Sequence, residues 1–203
     1  SKEWLRLHRL APIPYINYAQ WGGPFNIGIL YGAAMLIKDA ILAKLIHFFF
    51  GVLTAVAIYA LGRKYFSKRV GLLSAVIFYT IPVVTRMATV AFVDLGLTFY
   101  SFLAFYAFIN WSISKKSSWL IISGIISGLA VGSKYAGLLC LFILSLGVLI
   151  NGWIFKKEKF SLIIKNFFLF ISLGISVGSF WYLRAYFMMG KFPRALQYLL
   201  YHL

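Results

Sequence analysis

The chain has 203 residues, of which 62% are hydrophobic and only 12% charged. Soluble domains are typically about 45–50% apolar and about 25% charged, so a water-soluble globule is excluded and lipid is the expected solvent. The net charge of +16, from 20 Lys and Arg against four acids, would suggest nucleic acid in a soluble protein, but here the cations sit between apolar runs, where they set orientation and meet anionic headgroups.

Residues 1–23 are mixed and aromatic and read as the end of a loop outside the membrane. The chain starts at Ser1 without Met and stops at Leu203 in an amphipathic-looking segment, so a piece of a longer protein is expected. No removable signal peptide is visible, because Pro12, Pro14, Gly22, Gly23 and Pro24 break the first apolar run. The segment PFNIGILYGAAMLI, Pro24 to Ile37, is too short to span and reads as an interfacial or re-entrant helix, with Pro24 suited to its first turn. Residues 1–38 thus form a loop end with an interfacial helix, 39–185 a transmembrane bundle, and 186–203 a further outer segment.

A span needs about 20 mostly apolar residues. Six candidates follow: roughly 40–61, 70–85, 93–111, 118–133, 135–153 and 162–183. The predicted fold is therefore all-α, a polytopic transmembrane helix bundle with about six spans. The second candidate is short and runs straight into Arg86. Basic residues cluster in alternate loops: GRKYFSKR at 62–69, Lys115 and Lys116 at 112–117, and Lys156, Lys157, Lys159 and Lys165 at 154–165. By the positive-inside tendency these loops are cytoplasmic, and the intervening turns are outer. Lys134, alone in GLAVGSKYAGLL, then ends a span at an outer turn. At mid-membrane a lysine would cost about 2.5–3.5 kcal/mol.

Packing faces are legible too. Gly124, Gly128 and Gly132 recur every four residues beside Ser123 and Ser127, and Gly174 and Gly178 repeat the spacing; small faces of this kind let helix backbones approach closely. His47 lies in the first span without a metal-spaced partner and reads as a helix–helix hydrogen-bonding group. Cys140 excludes an intrachain disulfide and reads as a small apolar residue.

Four charged residues remain as candidates for chemistry. Asp94 opens the third span, Arg86 lies in the same outer turn, Lys134 occupies the next, and Arg184 follows the last span. One reading is snorkelling cations that meet lipid phosphates, with Asp94 paired to one of them. The other is a site: acids at the membrane edge are functional candidates by default, and three cations around one acid leave net positive charge suited to a phosphate. No P-loop, dinucleotide fingerprint, HExxH or CxxC pair is present. An enzyme here would need its energy delivered in an activated lipid substrate.

The run from Ala43 to Trp111 resembles the membrane domain of GT-C glycosyltransferases, nearest the dolichyl-phosphate-mannose–protein mannosyltransferase-like family that includes aminoarabinose-type lipid A transferases. LGRKYFSKRVGLLSA (61–75), Asp94, GLAVGSKY (128–135) and FWYLRAYFMMGKFPRA (180–195) resemble four family motifs in the same order. Two departures occur in the last: Ala185 replaces an Asn, and the Gly-Asn-Pro turn is Gly190-Lys191-Phe192 with Pro193 displaced.

The resemblance implies an integral-membrane transferase, placed in a prokaryotic plasma membrane, that takes a sugar from a polyprenyl-phosphate donor to an acceptor on the outer face. Lys134 and Arg184, with Arg86 weaker, would bind the lipid phosphate, and Asp94 would orient a cation or bind the acceptor. It also implies a catalytic base upstream of Ser1, since Glu3 is in no recognisable motif. Some relatives admit a divalent metal, but no ligand set for one is visible and no cofactor is evident. A secondary transporter, a lipid flippase or a non-catalytic membrane scaffold is the alternative. The first two predict inverted repeats or mid-depth helix breaks, and the sequence shows neither clearly.

Overall fold

A computed structural model of the chain describes residues 23–155 and 159–189. The expectations for residues 1–22 and 190–203, including Glu3 and the Gly190–Pro193 turn, lie outside the described residues. Within them the fold is all-helical: α1 Asn26–Ile37, α2 Ala40–Tyr65, α3 Lys68–Thr80, α4 Pro82–Ala88, α5 Asp94–Ser114, α6 Ser117–Val131, α7 Gly137–Ile150, α8 Phe160–Gly178 and α9 Phe180–Met189. A π-turn at Asn151–Phe155 extends α7.

The helices begin and end for local reasons. Asp39 caps α2, its carboxylate accepting from the backbone N–H groups of Ile41 and Leu42 at 2.8 and 3.3 Å. The Ser67 hydroxyl caps α3 by accepting from Val70 N–H at 3.2 Å. Only Phe66 and Ser67 separate α2 from α3, and the two helices cross where Gly62 meets Gly71: a Cβ on Gly62 would sit 2.5 Å from the Gly71 Cα. Lys115 closes α5 in the left-handed region, with φ 59°.

Among the described residues four helices are long and apolar enough to cross a membrane, or five if the bent pair α3–α4 counts as one span. The shorter apolar helix α6 covers the remaining candidate, so each of the six predicted apolar segments is helical. The segment predicted at 70–85 is a 13-residue helix and a 7-residue helix bent by 67°. The cause is Pro82, which disfavours the helical region for its predecessor; Ile81 accordingly stands at φ −58°, ψ 124°. The fourth candidate is a helix of 15 residues. Leu120, Ser123, Ser127, Ala130 and Val131 are buried, while Ile121, Ile122 and Ile125 are exposed. The sixth breaks at Ser179 into α8 and α9.

Two apolar clusters organise the bundle, with α5 shared between them. Ala104 and Trp111 of α5 join Leu120, Leu141, Leu144 and Phe170 from α6, α7 and α8. Leu95, at the other end of α5, joins Ile27, Tyr31, Phe50 and Val84 from α1, α2 and α4. The small-residue faces meet as their spacing predicts: a Cβ on Gly124 would lie 3.0 Å from the Phe170 carbonyl, and one on Gly128 2.7 Å from the Gly174 carbonyl. Gly132 differs, facing Asn26 of α1 rather than α8.

Candidate functional site

The helices run so that the starts of α2, α5 and α7 and the ends of α6 and α8 share one end of the bundle. At that end Lys134, in the five-residue turn region 132–136 between α6 and α7, reaches across to Asp94, the first residue of α5. The Lys134 Nζ donates to Asp94 Oδ1 at 2.7 Å. Both side chains remain open, with relative exposures of 44% and 42%, so the pair is accessible to a ligand. Its geometry follows from the local sequence. Gly132 ends α6, the backbone N–H groups of Ser133 and Lys134 turn back onto the Ala130 carbonyl, and the long lysine side chain is free to extend. Asp94 meets the positive end of α5, where a carboxylate is favourably placed.

Arg184 is on α9, its guanidinium over the Trp181 ring at 5.6 Å from the centroid. The contact is a cation–π interaction that holds the guanidinium beside the ring. Arg86 is exposed in the last turn of α4. Among the described residues the ion pair of Asp94 is with Lys134, and Arg86 is not brought onto it.

The sequence reading missed Asn26. It is the first residue of α1 and ties three elements together: its backbone N–H donates to the Gly132 carbonyl at 2.9 Å, its Nδ2 to the Leu129 carbonyl at 3.2 Å, and its Oδ1 accepts from Trp181 Nε1 at 2.6 Å. Asn26 therefore fixes the end of α6, two residues before Lys134, against the ring that carries Arg184. A Cβ at Gly132 would come within 2.3 Å of Asn26 Nδ2, so Gly132 is needed for this contact. Tyr135 packs edge-on to Tyr182 at 5.9 Å between centroids, and the Tyr182 hydroxyl donates to the Val131 carbonyl at 3.1 Å. His47, read as a helix–helix hydrogen-bonding group, is wholly buried and bonds Tyr31.

The opposite end of the bundle gathers the basic loops at 62–69 and 112–117; Lys156 and Lys157 lie outside the described residues. Lys64 Nζ donates to Asn110 Oδ1, which also accepts from the Tyr65 hydroxyl at 3.0 Å. Lys115 Nζ donates to Asn151 Oδ1 at 2.9 Å and lies 4.8 Å from the Trp111 ring centroid. Neither Asn110 nor Asn151 carried a visible signal in the sequence. Among the described residues no group of three His, Cys, Asp or Glu is placed to hold a metal ion.

A many-spanning helical bundle with a cation–carboxylate pair at one end defines an integral-membrane protein with a ligand-accessible charged site. The family model described as dolichyl-phosphate-mannose-protein mannosyltransferase matches residues 29–177, about three quarters of the chain. The chain belongs to that family and is a membrane glycosyltransferase of the GT-C type. No curated protein and no solved structure matches it. Membership favours the transferase reading over a transporter or flippase. The matched range takes in Asp94, Lys134 and Arg86 and stops short of Arg184.

Proposed function

We propose that the protein transfers a sugar from a polyprenyl-phosphate donor to an acceptor hydroxyl at the outer face of the membrane, with Lys134 and Arg184 holding the donor phosphate. The observation that carries this reading is the Lys134–Asp94 pair: a half-exposed ammonium, oriented by a carboxylate, at the bundle end opposite the basic loops. Those loops mark the cytoplasmic side by the positive-inside tendency, so the pair faces outward.

The chemistry explains why cations are needed there. The acceptor oxygen forms a bond to the anomeric carbon while the bond from that carbon to the phosphate oxygen breaks. The phosphate leaves with the bonding electrons, and a carboxylate base takes the hydroxyl proton. Negative charge grows on the leaving phosphate, and fixed cations in a partly dehydrated site stabilise it most effectively. Lys134 supplies a point charge already held in place by Asp94. Arg184 supplies planar, paired donors that match phosphate oxygens. Arg86, exposed on α4, is the weaker third candidate. Asp94 is not given the role of base, because its carboxylate is engaged by Lys134; it orients that cation.

The test is turnover of dolichyl-phosphate mannose by the full-length protein in nanodiscs. Arg184→Gln is expected to lower it by about 10- to 100-fold, and Arg86→Gln far less. Unchanged turnover in Arg184→Gln would remove that residue from the site.

A further inference from the structure

Two groups on α1, five residues apart and so on different sides of the helix, reach the two turns that carry Lys134 and Asp94. Asn26 grips the end of α6, as described. Tyr31 reaches the other turn, where its hydroxyl donates to the Phe92 carbonyl, two residues before Asp94. Having spent its one proton there, the hydroxyl accepts from Nδ1–H of His47, 2.6 Å away on α2. His47 Nε2 is then a bare acceptor, buried and without a hydrogen-bond partner among the described residues. An unsatisfied buried polar atom costs about 1–3 kcal/mol, and a histidine at this depth is a functional candidate by default. Packing alone does not call for it, since an aliphatic side chain would fill the same space without that cost.

We infer that Asn26 and the Tyr31–His47 pair are positioning residues: α1 sets the separation of Lys134 and Asp94 by holding the α6 end from one side and the 89–93 turn from the other. None of the three touches the donor. Their effect is exerted through the two turns, so each arm can be released separately. This rests on the reading of Lys134 and Asp94 as donor-site residues.

The experiment combines amide hydrogen exchange with binding of dolichyl-phosphate mannose, both on the full-length protein in nanodiscs. Tyr31→Phe and His47→Leu are expected to speed exchange about tenfold over residues 89–94 while leaving 128–134 unchanged, and to weaken donor binding about tenfold. Asn26→Ala is expected to do the converse, loosening 128–134 and not 89–94. His47→Asn, whose amide N–H replaces Nδ1–H, restores both readouts. In an Asp94→Asn background Tyr31→Phe adds no further loss of binding, a result that general destabilisation would not give. Exchange in α7 and α8 checks that each variant is folded; should Tyr31→Phe fail that check, His47→Leu and Asn26→Ala decide. Unchanged exchange over 89–94 in folded His47→Leu, or loosening of both turns by every variant, overturns the inference. Normal donor binding by Asp94→Asn and Lys134→Gln would instead overturn the functional reading, while the exchange data still decide whether α1 holds the turns.

Discussion

The two ends of the bundle handle lysine in opposite ways. At the basic-loop end, Lys64 and Lys115 are held by neutral acceptors, Asn110 and Asn151, and by aromatic faces. Asn110 is itself 2% exposed and ties Lys64 to Tyr65 and, through Nδ2, to the Tyr106 carbonyl. These lysines fasten α2 to α5 and α5 to the end of α7. At the other end Lys134 meets a carboxylate in a setting open to water and ligand. Half-exposed ion pairs contribute only about 0–1 kcal/mol to stability. A buried amide that pins an exposed lysine to the bundle serves cohesion, whereas a charged pair with both partners open serves an incoming anion. Charge count alone does not separate the two; the partner and its burial do.

The sharpest test of that contrast is Lys134→Gln beside Lys64→Gln. Lys134→Gln should cut turnover of dolichyl-phosphate mannose by about 10²- to 10³-fold, the scale for removing one preorganised donor from a developing oxyanion. Lys64→Gln should leave turnover intact and lower the melting temperature. If both lose turnover equally at equal stability, the division between the ends fails. Next in size is Gly128→Leu. The Gly174 carbonyl lies 2.7 Å from where a Cβ would be, and forcing α6 and α8 apart should destabilise by about 1–3 kcal/mol, read as a lower melting temperature in detergent. Asn110→Leu should cost about 1–2 kcal/mol through the lost bonds to Lys64 and Tyr65, with turnover per folded molecule preserved. The smallest stability effect is expected for Asp94→Asn, about 0.2–1 kcal/mol. Thermal unfolding should barely register it, and added salt should shrink the difference further, while donor binding weakens. A large stability loss in Asp94→Asn would make the pair a fastening like those at the other end.

Much of this layout is legible in the sequence because charge interrupts apolar runs. Asp94 and Lys134 fall at turn positions separated by one pair of spans, so their common end follows from counting. The glycine spacing of α6 and α8 likewise predicts their contact. The bend at Ile81 was also available, since Pro82 stands within the apolar run; length alone led to one span where there are two short helices. Asn26, Tyr31 and Asn110 were not accessible in this way. They are neutral, occur in no local pattern, and act on partners between 45 and 155 residues away in sequence for Asn26 and Asn110, contacts that only the folded bundle creates.

The crossing of Gly62 over Gly71 has a consequence for how variation in this chain is to be read. With two residues between α2 and α3 and backbone against backbone at the crossing, no larger side chain fits at either position. A saturation scan scored on sugar-transfer turnover would mark Gly62 and Gly71 as intolerant as Lys134, although they do no chemistry. Scoring the same library for protein abundance separates them: glycine variants vanish from the membrane, and lysine variants remain there, silent.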